Sequence, residues 1–373
     1  MSSKALFAAL VSVYLILLAC TARFSAEGAP EAGSLERVAL FSQSSYNRGF
    51  RPMKKPRAGR AAQPRARAEE TRETYQKIDR TDSGYSVEYG FRNFNGDPLV
   101  VKAELPAEGV AQAIQEFGYK KEDFEKLDRW YEVQQKEAIA SSKREFFSGK
   151  VQAKSQAELD RKMAQIKTKN AQIQKDLDAT LASLKTEYQR RRVETYEKAG
   201  FRFQSENVVE ADIPALAKRN VPRVRPVAEA FAAAAGERRY GAEDLVGAVT
   251  AMVQTSIEYS IPDMETGTKV VGGAWPPPKT LVMGKGDCDT KTALIASILK
   301  GWPNLKLVGL EIPEHYLMAV HRVPRRGETF IERDGLPYVM IESAGPAWLP
   351  PGRVGEFTMK YIQSGKQFRI QPM

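Results

Sequence analysis

Alternation of apolar and polar residues first becomes regular over residues 84–106, GYSVEYGFRNFNGDPLVVKAELP. Val87, Tyr89 and Phe91 share one parity, which is the period of a strand with one buried face. The Asn95-Gly96-Asp97-Pro98 cluster supplies a turn, so the segment predicts a β-hairpin. From residue 107 to about 200 the chain turns rich in Lys, Glu, Gln and Ala and predicts helix. Phe124, Leu127 and Tyr131 mark an earlier helix, and Ser148-Gly149 within FFSGK can reverse the chain. Beyond it, Ser155 and Glu158 stand at capping-box spacing. Leu159, Met163, Ile166, Asn170, Ile173, Leu177 and Leu184 then fall on the a and d positions of a heptad, with Thr180 at the remaining d. One continuous helix over residues 155–190, packed along this stripe, is expected, about 45 Å long from Leu159 to Tyr188 at 1.5 Å per residue. Folding back as an intramolecular helical hairpin is the first reading. Self-association through residues 159–188 as a coiled coil is the second.

Near residue 205 the pattern changes to mixed apolar segments punctuated by Pro and Gly. RPVAEAFAAAAG and GAEDLVGAVTAMVQTSIEYS predict two helices, the second running into a short extended piece at Ile257-Glu258-Tyr259. The next segment, IPDMETGTKVVGGAWPPPKTLVMGKGD, is expected to hold no helix because of its glycines and three consecutive prolines. A helix opening at Cys288 follows, and then three strand-like runs, LKLVGLEI, HYLMAVHRV and YVMIESAG. The fold class is therefore α+β, with a long helical segment before the C-terminal part.

Composition changes the picture at the N-terminus. Residues 5–19 are a 15-residue apolar run preceded by Lys4 and closed by Leu17-Leu18-Ala19-Cys20. The run is short for a membrane span and suits the h-region of a signal peptide over residues 1–20. Its end resembles a bacterial lipoprotein signal, which implies lipidation of Cys20 and a membrane-anchored protein of the cell envelope or periplasm. The net charge of +10 is almost entirely local, since residues 37–68 carry nine Lys or Arg and no acid. Residues 21–75 read as a disordered basic tether rather than a nucleic-acid-binding surface, because no aromatic residues are interleaved with the charges in a recognition pattern. With Cys20 acylated, Cys288 is the only free thiol, and no disulfide can form.

That thiol stands in GKGDCDTKTALIASILKGW, between Asp287 and Asp289. Asp287 suits the N-cap of a helix beginning at Cys288, where the helix dipole favours a thiolate and the two carboxylates oppose it. A base is then needed, and the chain has two histidines, His315 and His321, in one strand-like run. They share a face but lie about 20 Å apart along a strand, so one thiol cannot use both. His315 opens the run and can reach over a sheet end. Glu342, on the parity of Tyr338 and Met340, is the candidate acid to orient the imidazole.

Cys288, His315 and Glu342 in this order resemble the transglutaminase-like cysteine peptidase superfamily, bacterial envelope type, over roughly residues 205–360. AWPPPKTLVMGKGDCDTKTALIASIL resembles its element aromatic-Pro-x-x-(T/E)-L…G-x-G-D-C-x-D, PEHYLMAV its histidine strand, and YVMIESAGPAWLPPG its acid strand. The resemblance implies a papain-like domain over residues 205–373 and a Cys–His–acid triad acting on a peptide or protein substrate. It also implies a cleft that Trp275 could line. Glu342 stands where many relatives carry Asp. No cofactor is implied, although Asp287 and Asp289 are similar to calcium-binding positions of some relatives. Hydrolysis is the expected outcome, with protein cross-linking and a catalytically silent interaction module as the alternatives.

Overall fold

The computed structural model describes residues 74–205 and 208–373. The signal segment, Cys20 and nearly all of the basic tether lie outside the described residues. The sequence pattern runs the tether to residue 75, but a first strand already begins there. β1 (Tyr75–Arg80) pairs antiparallel with β2 (Gly84–Arg92), which pairs with β3 (Pro98–Pro106). β2 and β3 are the expected hairpin. β3 alternates without a break, with Leu99, Val101, Ala103 and Leu105 inward. The polar residues of β1 give it no alternating signal, since its outer face stays in solvent.

α1 (Ala107–Glu116) and the two-residue β4 (Tyr119–Lys120) lead into α2 (Lys121–Glu145) and α3 (Gln156–Lys198), which pack along each other as the expected helical hairpin. Ser155 caps α3 by accepting from the Glu158 N–H at 3.3 Å, while Glu158 Oε2 accepts from the Lys154 N–H at 2.9 Å. Ile173 and Leu177 are buried on the stripe, but Met163 is exposed. The stripe therefore packs only where α2 lies alongside. Tyr131 stacks on Tyr188, and the Arg191 guanidinium lies 3.9 Å from the Trp130 ring centroid.

β5 (Phe201–Ser205), β6 (Val208–Ala211) and α4 (Ile213–Asn220) follow, then α5 (Arg225–Arg238) and α6 (Ala242–Thr255), close to the two helices predicted. The segment expected to lack helix contains β7 (Glu258–Tyr259), β8 (Glu265–Thr266), β9 (Lys269–Val270) and a short helix, α7 (Pro277–Met283). The proline run does not prevent α7, because Pro276 is its N-cap and Pro277 and Pro278 fill the first turn, where no amide hydrogen is needed. Gly284 ends α7 in the left-handed region at φ 63°.

β10 (Lys285–Gly286) leads into α8 (Cys288–Leu299). β11 (Leu307–Ile312), β12 (His315–His321), β13 (Phe330–Arg333), β14 (Leu336–Ile341) and, after α9 (Glu356–Gln363), β15 (Arg369–Pro372) form one antiparallel sheet in the order β13-β14-β12-β11-β15. α8 lies on one face of this sheet, meeting Leu307, Met318, Val320 and Ile341. On the other face Leu310, Leu317, Ala319 and Met340 pack with Tyr361 and Ile362 of α9. Val87, Tyr89 and Phe91 of the hairpin share the main core with α5, α6 and α8. The hairpin therefore belongs to the core of the C-terminal part. Among the described residues no helix is long and apolar enough to cross a membrane.

Candidate functional site

Asp287 adopts extended backbone and its side chain accepts from the Thr290 N–H at 3.1 Å, so the expected N-cap forms. The helix start is tied on two sides. The Trp275 N–H donates to Thr290 Oγ1 at 3.2 Å, and Thr292 Oγ1 donates to the Tyr316 carbonyl at 3.3 Å. These bonds seat the first turn of α8 at the end of β12 where His315 begins. β14 pairs with β12 only from Met318 onward, which leaves His315, Tyr316 and Leu317 clear of it.

Cys288 is buried, and its thiol donates to Asp289 Oδ1 at 3.4 Å. Burial and the charges of Asp289 and Asp287 push the thiol well above its usual range, and the Tyr316 N–H opposes them only in part. The sequence sets helix dipole against carboxylates; burial adds to the carboxylates, and the resting sulfur is a neutral thiol. Asp287 is itself raised, by burial and by Asp289.

His315 Nε2 lies 2.8 Å from Glu342 Oε1. Burial lowers the imidazole pKa, but the Glu342 bond and charge, with the Asp289 charge, outweigh it and leave it raised. Glu342 is lowered despite burial, because His315 and the amides of Gly355 and Ala344 favour its anion. Its Oε2 accepts from Gly355 N at 3.3 Å and from Thr358 Oγ1 at 3.2 Å, both at the start of α9. An ionised carboxylate only accepts, so Nε2 carries the hydrogen, and in the neutral imidazole the lone pair sits on Nδ1. The pair is placed by a two-residue turn in which Glu314 takes φ 64°, so that His315 opens β12 opposite Ile312.

The structure thus joins His315 to Glu342 and seats Cys288 against the neighbouring Tyr316. Among the described hydrogen bonds none links the thiol to His315. Phe357 of α9 meets the His315 ring edge-on, and the next residue, Tyr316, packs in one cluster with Cys288. His321 stands at the far end of β12, its Nδ1 2.9 Å from the Pro337 carbonyl.

Several neighbours carry little or no signal in the sequence. Lys291 is fully buried, donates from Nζ to the Ile257 carbonyl at 2.6 Å, and is lowered to about 7 by burial, against the charges of Asp287 and Glu258. Its spacing of four from Asp287 within an apolar helix is the available signal. Thr358 has none, since α9 lies beyond the acid strand. Trp275 is buried, with Lys279 and Lys285 over its ring. Asp287 and Asp289 are engaged by the cap and the thiol, and among the described residues no group of three or more His, Cys, Asp or Glu side chains is arranged to hold a metal ion. No protein-family model, curated protein or solved structure matches the chain.

Proposed function

We propose that the C-terminal part is a papain-like thiol enzyme that transfers the acyl group of a peptide or isopeptide amide to water. Cys288 Sγ attacks the carbonyl carbon while His315 Nδ1 takes the thiol proton. The imidazolium then returns that proton to the leaving amine as the C–N bond breaks. Water, deprotonated by the same nitrogen, releases the acid and restores the thiol. Glu342 holds Nε2–H and stabilises the imidazolium. The observation that carries this reading is the buried His315–Glu342 pair beside a helix-start thiol whose sulfur faces the Tyr316 N–H. The lipoprotein-like end at Cys20 supports an exported, membrane-anchored protein. An amine in place of water makes the same site a cross-linker.

A second reading has an observation of its own. The thiol is bonded to Asp289, not to His315, and is raised, as in a catalytically silent interaction module. Iodoacetamide labelling of Cys288 between pH 5 and 9 separates the two. An enzyme gives labelling that slows severalfold or more in His315→Ala and is unchanged in His321→Ala. Equal rates in the parent and both variants support the silent module.

A further inference from the structure

Two cations near the opening of α8 share one aromatic ring. Lys279, in α7, and Lys285, in β10, are both half-buried, and their ammonium nitrogens stand 4.6 and 5.9 Å from the centroid of the Trp275 ring. Both distances lie within the roughly 6 Å reach of a cation–π contact. Neither lysine makes an ion pair with a described residue. Asp263 acts on Lys279 only from beyond contact, and Glu258, the backbone partner of Lys285, is exposed and forms no bridge to it. The platform itself is fixed: Trp275 is buried and its amide is bonded to Thr290, two residues past Cys288.

A ring face replaces only part of the hydration that an ammonium loses on burial, and two like charges on one ring repel. An anion between them removes both costs. We propose that Lys279 and Lys285, seated on Trp275, form a carboxylate-binding subsite beside Cys288, so that the peptide recognised there carries an acidic side chain or a free C-terminal carboxylate. The subsite gives the proposed thiol chemistry a substrate class and rests on that reading for its acyl step, but the binding does not depend on the chemistry.

The test uses the full chain with Cys288→Ser, titrated calorimetrically with three tripeptides. Acetyl-Gly-Glu-Gly-amide carries a side-chain carboxylate. Acetyl-Gly-Gln-Gly with a free C-terminus carries a terminal one. Acetyl-Gly-Gln-Gly-amide carries none. One or both anionic peptides bind more tightly than the neutral one, and which of them does identifies the source of the carboxylate. Each Lys→Gln change at 279 or 285 reduces that preference about two- to fivefold, the range of a part-exposed ion pair. Lys→Arg at both positions retains it, which separates charge from fold. Lys136→Gln, on the distant helical hairpin, leaves it unchanged. Equal binding of all three peptides overturns the proposal, as does an equal loss in Lys136→Gln. In the Cys288 chain, the ratio of alkylation by iodoacetate to that by iodoacetamide falls in the Lys→Gln variants. If labelling is independent of His315 while the peptide preference persists, the enzymatic reading fails and the subsite stands. If labelling depends on His315 and the peptides bind equally, the subsite fails and the enzymatic reading stands.

Discussion

Replacing Glu342 by Gln removes one charge from a buried pair and changes little in volume. The carboxylate receives the His315 Nε2 hydrogen at 2.8 Å, and its second oxygen receives Gly355 N at 3.3 Å and Thr358 Oγ1 at 3.2 Å. A carboxamide has only one accepting end, so either its amide donor meets Gly355 N–H at the start of α9 or His315 gives up its Nε2 hydrogen. A buried charge-assisted bond is worth ~1.5–3 kcal/mol. Its loss lowers the His315 pKa. The parent imidazole is raised above its ordinary 6.5. In the variant the burial penalty persists with only the Asp289 charge against it, and the pKa falls towards or below that value. Because the chain has two histidines, their Cε1–H resonances can be followed individually by NMR from pH 4 to 9, with His321→Gln assigning the pair. The linkage has a definite sign. A raised His315 stabilises the fold fully below 6.5 and loses this as pH rises through its folded value. A lowered Glu342 stabilises it above 4.5 and loses this as pH falls through its folded value. The cost in unfolding free energy, ~1.5–3 kcal/mol, is therefore greatest between about pH 4.5 and 6.5. A His315 resonance that titrates at the same pH in parent and variant refutes the pairing.

Labelling of Cys288 by iodoacetamide should be slow at neutral pH and rise steeply into the alkaline range, because the thiol is raised by burial and two aspartates; labelling that is already maximal at pH 6 contradicts this. Lys291, lowered to about 7, binds fewer protons folded than unfolded, so its contribution makes the fold more stable as pH rises from about 7 towards 10.5. Lys291→Met should flatten that rise, a difference on the order of 2–4 kcal/mol in chemical denaturation, and an unchanged slope counts against a buried amine. Ile173→Asp should destabilise the helical hairpin by ~2–5 kcal/mol, whereas Met163→Asp, at an exposed position, should stay within ~0.5 kcal/mol, as measured by urea unfolding. A methyl group at Gly84 would stand 2.0 Å from the Leu105 carbonyl oxygen, so Gly84→Ala should lower the melting temperature by several degrees or more, and an unaltered melting curve would show that β2 and β3 can part without cost.

Much of the local structure is legible in the sequence. Val87, Tyr89 and Phe91 declare one face of β2, Ser155 and Glu158 declare the start of α3, and Asp287 declares the start of α8; each signal acts over a few residues, through strand period or capping geometry. Tyr338, Met340 and Glu342 are buried, but so are Val339 and Ile341, because both faces of this sheet are covered, and parity alone does not single out the face of the acid. The proline run misleads when it is taken as helix interior, and its place at a helix start depends on where the preceding turn releases the chain. The heptad suggests uniform packing. Whether Met163 or Ile173 is buried depends on where α2 lies alongside, and α3 alone carries no record of that.

The order of Cys288, His315 and Glu342, the helix start before the thiol and the parity of the acid are properties of the sequence, because each is set by spacing along one element. Tertiary structure decided the rest. It buried the thiol between Asp289 and the Tyr316 amide, gave Glu342 its bonds to Gly355 and Thr358, set two lysines over Trp275, and placed the hairpin of residues 84–106 in the same core as α8. The physical reason is range. Hydrophobic period and capping are written within a turn or two of chain, whereas burial and charge at a site come from groups on separate elements, tens of residues apart, and those terms govern the protonation of the thiol and its neighbours.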